Sequence, residues 1–153
     1  MQAPLKALTR LFLRVLFKPF QGPPLPPGFT RRWQALVARA ALVPRGIERR
    51  ELDLGAVAAL HVSDGVPAGS PETRDAILLC HGGAFVAGGA ATHAGFAGWL
   101  ARSTGADVYL PEYRLAPEHP HPAASDDLHA AYRALLELGH SPSRMAVVGD
   151  SAG

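Results

Sequence analysis

The sequence predicts an α/β fold in which helices cover a largely parallel sheet. Three short apolar runs support this prediction: AILLC (Ala76–Cys80), DVYL (Asp107–Leu110) and RMAVVG (Arg144–Gly149). A continuous apolar run of this length is typical of a strand buried on both faces. Helical patterns over 93–103 and 123–138 separate the runs, and strands that alternate with helices join by right-handed crossovers into a parallel sheet.

Two helices and a hairpin are predicted ahead of this sheet. The first helix covers residues 4–18, and the second, TRRWQALVARAAL, starts with Thr30 as its N-cap. The segments IERRELDL and AVAALHV flank Gly55 and are typical of an antiparallel hairpin.

The composition limits the class of protein. A chain of 153 residues with 48% hydrophobic residues buries one core. Cys80 is the only cysteine, which excludes a disulfide framework and a cysteine-based zinc site and favours a reducing compartment, the cytoplasm. Positions 1–50 hold ten Lys and Arg residues against one acid. Because these alternate with large apolar residues at helical spacing, we expect a packed helix and no nucleic-acid partner.

The amphipathic segment 4–18 raises the question of membrane contact. Its longest unbroken apolar run is three residues, far below the roughly 20 that a spanning helix needs. Arg10 and Arg14 also interrupt the apolar region that a signal peptide requires. Two interpretations remain: the helix covers a cleft of its own protein, which we favour, or it lies on an anionic membrane surface.

The loop HGGAFVAGG (His81–Gly89) follows the first apolar strand, at the edge where parallel sheets bind ligands. It is not a phosphate-binding P-loop, because no lysine occurs after Lys18. Gly82 and Gly83 instead allow close approach of backbone N–H groups, which stabilise a developing oxyanion. The alternative is a tight turn that uses glycine for steric reasons alone.

The pentapeptide GDSAG (Gly149–Gly153) follows the third strand and matches G-x-S-x-G. This motif bends a strand sharply into a helix and exposes a nucleophilic serine. Alone it is a weak indication, but its position two parallel strands after the HGG loop makes it specific.

Taken together, HGGAF, PEYRLAPEHPHPAASDD and GDSAG resemble the hormone-sensitive-lipase-like branch of the α/β-hydrolases, over residues 76–153. That branch includes bacterial carboxylesterases, acetyl esterases and some lactone hydrolases. The resemblance implies an α/β-hydrolase fold, truncated after the strand that bears the nucleophile, with N-terminal cap helices in 1–45 and the N-terminal half of the catalytic domain in 46–153.

The resemblance also implies roles for individual residues. Ser151 would be the nucleophile, Asp150 would anchor its turn, and His81 would orient the loop without taking a proton from Ser151. Four backbone N–H groups would form the oxyanion hole, those of Gly82, Gly83, Ala84 and Ala152. Ala84 departs from the family, which usually has a third glycine there; the N–H survives, but a methyl group takes up room beside it.

The middle motif is expected to be structural, with Glu112, Arg114 and Glu118 supporting its loop and the last two making ion pairs. His119 and His121 form His-x-His, but no third ligand lies at helical spacing, so we predict no metal and no cofactor. The remaining histidines are interpreted as ordinary strand, cap and surface residues: His61, His93, His129 and His140.

In the α/β-hydrolase fold the triad acid and base follow the serine along the chain. The sequence is therefore expected to be the front half of an esterase about twice as long, inactive by itself, with no upstream histidine near Ser151. The expected substrate is a small-molecule acyl ester or lactone. A lactone hydrolase or acyltransferase on the same scaffold, and a binding protein that has lost the base, as in plant hormone receptors that resemble the family, remain alternatives. The sequence indicates no oligomeric state.

Overall fold

The computed structural model describes residues 2–20, 25–38, 43–66 and 70–153. It contains four α-helices and five strands within these ranges. The helices are α1 (Gln2–Phe12), α2 (Pro27–Ala38), α3 (Ala90–Thr104) and α4 (Ala123–Glu137). The strands are β1 (Glu48–Leu54), β2 (Val57–Ser63), β3 (Ala76–Cys80), β4 (Asp107–Pro111) and β5 (Met145–Gly149).

The five strands form one mixed sheet in the order β1-β2-β4-β3-β5. β1 and β2 form the predicted antiparallel hairpin, and β2 continues antiparallel to β4. β3 lies between β4 and β5 and is parallel to both. The predicted α/β fold is thus confirmed, with the hairpin added to one side of the parallel strands.

The core lies on both faces of the sheet, which explains the uninterrupted apolar run of β3. Successive side chains of a strand point to opposite faces. Leu78 packs with Leu135 of α4 on one face, while Ile77 and Leu79 pack with Ala97 of α3 on the other. β5 is less covered, and Val147 is 61% exposed.

The N-terminal helices differ from their predicted bounds. α2 begins at Pro27, whose fixed φ suits the first turn of a helix, so Thr30 lies inside the helix, is buried and is not the N-cap. The predicted end of this helix, in 39–42, lies outside the described residues. After α1 the chain continues through a π-helical turn, Leu13–Phe17, and a 3-10 turn. Within the described ranges, no helix is long and apolar enough to cross a bilayer.

Candidate active site

The pairing of β3 with β5 brings the two glycine-containing loops together. Cys80, the last residue of β3, lies opposite Gly149, the last residue of β5. Since the strands are parallel, the loops that follow them start side by side at the carboxyl edge of the sheet. The sequence motifs separated by about 68 residues therefore face each other.

GDSAG forms a tight turn that needs both of its glycines. The turn closes with a hydrogen bond of 2.9 Å from Gly153 N–H to the Asp150 carbonyl. A Cβ on Gly153 would overlap the Cys80 carbonyl, and one on Gly149 would overlap Gly153 itself. Ser151 sits at the turn with φ +54° and is exposed. A non-glycine residue in this left-handed region is uncommon and is typical of functional sites that hold strain.

The HGG loop curls back on itself with backbone that favours glycine. Gly83 has φ +131°, and a Cβ there would overlap the Ala87 carbonyl. Ala84 follows with φ +54° although it is not glycine. The N–H groups of Gly83, Ala84 and Ala152 make no hydrogen bond to another residue in the described part of the chain. These three donors are therefore available to an oxyanion, as an oxyanion hole requires.

Gly82 does not fit the role of oxyanion donor that the sequence suggested. Its N–H donates to Asp150 Oδ1 at 2.7 Å, and a Cβ on Gly82 would lie 2.6 Å from Asp150 Oδ2. The carboxylate already occupies this donor, so the N–H is not free to bind a substrate oxygen. Gly82 instead joins the loop to the serine turn.

His81 is fully buried beneath the loop. Its ring stacks on Tyr113 with centroids 4.0 Å apart, and Nδ1 lies 3.0 Å from the Gly82 carbonyl and 3.1 Å from Tyr113 Oη. The Tyr113 hydroxyl also donates to the His81 carbonyl. Burial lowers the pKa of His81 below its ordinary value, because an uncharged ring avoids the cost of desolvation. These contacts place His81 directly beneath the loop, and its role in orienting the loop stays a prediction.

A cavity of about 440 Å³ opens beside Ser151. Residues from four segments line it: Gln34, Val37 and Ala38 of α2, Gly82 and Gly83 of the HGG loop, Thr92 and His93 of α3, and Asp150 and Ser151 of the serine turn. Its volume is in the range of small-molecule sites. α2 supplies one wall of this cavity, and its role as a cap helix stays a prediction.

His93 contradicts the expectation that no upstream histidine lies near Ser151. It lines the same cavity, and its Nε2 is 3.2 Å from Asp150 Oδ1. Its Nδ1 lies 2.8 Å from Thr92 Oγ1 and 3.3 Å from the Gly89 carbonyl. Because both ring nitrogens already face partners, His93 is not placed to accept the Ser151 proton. Sequence spacing gives no indication of this contact, since His93 lies in the first turn of α3 and Asp150 in the turn after β5.

The middle motif is held by ion pairs between distant segments. Arg114 makes a two-pronged contact with Asp127 of α4, with Nη2 to Oδ1 at 2.7 Å. Glu118 pairs with Arg31 of α2 at 2.8 Å. Arg114 and Glu118 thus both make ion pairs, but not with each other. The exposed Glu112 accepts the Ala90 N–H at 2.7 Å, which satisfies a free donor in the first turn of α3.

The other histidines lie away from Ser151. His119 and His121 are exposed on the proline-rich loop, and His129 is exposed on α4. His140 is buried rather than superficial, with Nε2 2.9 Å from Tyr109 Oη, and His61 lies 3.2 Å from Asp107 at the opposite end of β4. Across residues 2–20, 25–38, 43–66 and 70–153, no group of three or more His, Cys, Asp or Glu side chains is arranged to hold a metal ion.

Fold and serine turn together define an α/β-hydrolase. The sequence profile of the alpha/beta hydrolase fold family matches residues 77–153, which cover half of the chain, and the chain belongs to this family. An esterase from the bacterial hormone-sensitive lipase family superposes with a TM-score of 0.77 at 35% identity, covering 86% of this chain and 43% of the other. The resemblance to that branch is confirmed.

The curated relatives are longer proteins, and this chain matches only part of each of them. The carboxylesterase NlhH of Mycobacterium tuberculosis is 47% identical over 90 residues, which are 54% of this chain and 28% of that protein. The carboxylesterase/phospholipase LipF of the same organism is 35% identical over 131 residues, 85% of this chain and 34% of LipF. An esterase/lipase from an uncultured bacterium matches 99% of this chain and 49% of its own, with a TM-score of 0.81. The chain spans less than half the length of each of these relatives.

Proposed function

We propose that the whole protein is a serine carboxylesterase that cleaves short- to medium-chain acyl esters, with Ser151 as the nucleophile. The observation that supports it is the exposed Ser151 on a strained turn, together with three backbone N–H groups that make no hydrogen bond within the described residues. Attack of the Ser151 oxygen on the ester carbonyl would form a tetrahedral oxyanion, held by the N–H groups of Gly83, Ala84 and Ala152. Loss of the alcohol would leave an acyl-enzyme, which water then cleaves.

A serine needs a base, and we propose that it comes from outside the described residues. His93 Nδ1 contacts Thr92 Oγ1 and its Nε2 faces the Asp150 carboxylate, and His81 is fully buried beneath the loop. In this fold the acid and the base follow the serine in chain order. Residues 1–153 alone are accordingly proposed to lack esterase turnover.

The test uses the whole protein and a fluorophosphonate, which labels an activated serine. Hydrolysis of p-nitrophenyl acetate and butyrate is measured for the parent, Ser151→Ala and Ser143→Ala, which removes an exposed serine near the start of β5. We expect Ser151→Ala to abolish both labelling and turnover and Ser143→Ala to leave them unchanged. Equal labelling without Ser151, or loss of turnover on adding a chelator, would contradict the proposal.

The same assay, extended to lactones and to added alcohols, distinguishes the alternative functions on this scaffold. A lactone hydrolase would open lactones faster than it cleaves linear esters, and an acyltransferase would pass the acyl group to an added alcohol. A binding protein would take up an ester without hydrolysing it, with or without Ser151. The described cavity favours a small ligand.

We also propose a role for α1 as a covering helix. Large apolar side chains of this helix are exposed among the described residues, with Leu8 65% and Leu11 59% exposed. Exposed basic residues, Arg10 and Arg14, accompany them. The favoured partner is a cleft of the same protein, and the alternative is an anionic membrane surface. Sedimentation of the whole protein with phosphatidylglycerol vesicles, but not with phosphatidylcholine vesicles, would favour the membrane.

The compartment is proposed to be reducing, as in the cytoplasm. Cys80 is the single cysteine, and it is buried at the end of β3 without a disulfide partner. Burial raises the pKa of its thiol, which leaves less of the reactive thiolate. The fold therefore needs no oxidising environment.

A further inference from the structure

We propose that His93 is a positioning residue. Through the carboxylate of Asp150 it holds together the HGG loop, which carries the proposed oxyanion donors Gly83 and Ala84, and the serine turn. The inference rests on the proposed serine esterase function. It assigns a role in the site to a histidine that motif spacing does not place there.

The Asp150 carboxylate is the meeting point of three segments. Its Oδ1 accepts the Gly82 N–H at 2.7 Å and lies 3.2 Å from His93 Nε2. Gly82 belongs to the loop after β3, His93 to the first turn of α3, and Asp150 directly precedes Ser151. One oxygen atom thus connects the HGG loop, helix α3 and the serine turn.

The ring of His93 is fixed at both edges. Nδ1 lies 2.8 Å from Thr92 Oγ1 and 3.3 Å from the Gly89 carbonyl. The Gly89 carbonyl also accepts the backbone N–H of His93 at 3.2 Å. An ionised carboxylate only accepts hydrogen bonds, so the ring at 3.2 Å from Asp150 Oδ1 interacts favourably with it when Nε2 carries a proton.

The Asp150 side chain needs this support because it is not enclosed. It is 43% exposed, whereas the His93 side chain is 17% exposed. Without His93 the carboxylate would retain the Gly82 N–H on one side and water on the other, and it could rotate. Gly83 and Ala84 follow Gly82 directly, so movement of Gly82 displaces the two donors that face the reacting carbonyl.

The expected effect is on turnover rather than on substrate binding. Oxyanion donors act on charge that is present mainly in the transition state. Misplacement by about 1 Å far from the chemistry can cost 10²-fold in rate. We expect His93→Ala to lower kcat by about tenfold to a hundredfold while KM changes much less.

The experiment compares His93→Ala, His93→Gln and His129→Ala in the whole protein. His93→Gln keeps an N–H donor near the position of Nε2 and should recover most of the lost kcat. His129→Ala removes an exposed histidine that bonds the Ser125 carbonyl within α4, and kcat should be unchanged. Thermal midpoints, measured alongside, should be similar for the two His93 variants.

A double-mutant cycle with Asp150→Ala identifies the route. If His93 acts through Asp150, then His93→Ala should have little further effect on kcat once Asp150 is removed. Additive losses, or a Gln variant no better than the Ala variant, would overturn the inference.

The outcomes also separate this inference from the proposed function. Normal turnover in His93→Ala, with none in Ser151→Ala, would overturn the positioning role alone. Turnover retained in Ser151→Ala would overturn the esterase assignment. A His93→Ala loss as complete as that of Ser151→Ala, unrescued by Gln, would make His93 the base and overturn its role as a positioning residue.

Discussion

Arg31 of α2 forms a bidentate ion pair with Glu118 of the proline-rich loop, Nη1 to Oε1 at 3.0 Å and Nη2 to Oε2 at 2.8 Å. The same guanidinium donates to the Val86 carbonyl at 2.7 Å and to the Ala116 carbonyl at 2.7 Å. One side chain therefore fastens α2 to the HGG loop and to the middle motif. Only the planar fork of arginine makes all these bonds at once.

We expect Arg31→Ala to have a larger effect on substrate preference than on the free energy of unfolding. Gln34, Val37 and Ala38 of the same helix line the cavity beside Ser151, so a loosened α2 gives the acyl chain a less defined wall. KM for p-nitrophenyl butyrate should rise more than KM for the acetate. Arg32→Ala is the control, since the adjacent side chain is exposed and should leave both constants unchanged. An equal effect of the two substitutions would mean that charge, and not the Arg31 contacts, is responsible.

Gly83→Val should lower kcat by about 10²–10³, the scale for losing one oxyanion donor. The backbone at Gly83 has φ +131°, and a side chain would overlap the Ala87 carbonyl, so the loop must move. Gly28→Ala is the matched control, because a Cβ there meets nothing within 4 Å. A change confined to KM would make the loop a substrate-binding turn instead.

Ala84→Gly should stabilise the protein. Ala84 has φ +54°, and the left-handed region costs an alanine roughly 1–2 kcal/mol. The added freedom of glycine in the unfolded chain offsets about 0.4–1 kcal/mol of this, which leaves a net gain of roughly 0–1.6 kcal/mol in the free energy of unfolding. The same change at Ala91, exposed in α3, should instead cost about 1 kcal/mol. Urea unfolding of both variants measures the change in the free energy of unfolding, which should be positive for Ala84→Gly and negative for Ala91→Gly.

The sequence predicted the elements at the carboxyl edge of the sheet well, because local patterns determine them. β3 was predicted residue for residue, and the turn at Ser151 has the backbone that its motif requires. Contacts between distant segments of the chain were not predictable. Asp150 takes the Gly82 N–H across 68 residues, and Arg31 reaches Glu118 across 87. Such pairs depend on how the chain is folded in space, which neither periodicity nor motif spacing encodes.

The protein should lose stability as the pH falls below about 6.5. Burial lowers the pKa of His81 and of His140 from the ordinary value of 6.5. The unfolded chain therefore binds protons below this pH that the folded chain does not, so the free energy of unfolding decreases with falling pH and is unaffected above it. Each histidine contributes at most about 1.4 kcal/mol per pH unit.

Urea unfolding between pH 7.5 and 5.5 measures this slope. His140→Gln keeps a donor for the contact with Tyr109 Oη but does not titrate, and it should flatten the slope. His129→Ala, which removes an exposed histidine, should leave it as in the parent. A slope equally steep in both variants would assign the pH dependence to other groups.

A polypeptide of residues 1–153 should aggregate and show no esterase turnover. In the sheet formed by the described residues β5 pairs with β3 alone, so one edge of an uncharged strand is open. Val147 on this strand is 61% exposed, and Leu8 and Leu11 of α1 are exposed as well. An open, apolar edge is a template for pairing with another chain, and parallel strands pair slowly because their contacts are non-local.

Replacing Val147 by lysine should make this polypeptide more soluble without making it active. A charge on an edge strand opposes pairing with further chains, while the serine would still lack a base, because both ring nitrogens of His93 are engaged. Light scattering and p-nitrophenyl acetate hydrolysis measure the two effects, with Ser151→Ala as the background. A monomeric polypeptide with a sharp melting transition would contradict the argument from the open edge. Turnover above the Ser151→Ala background would contradict the argument from the missing base.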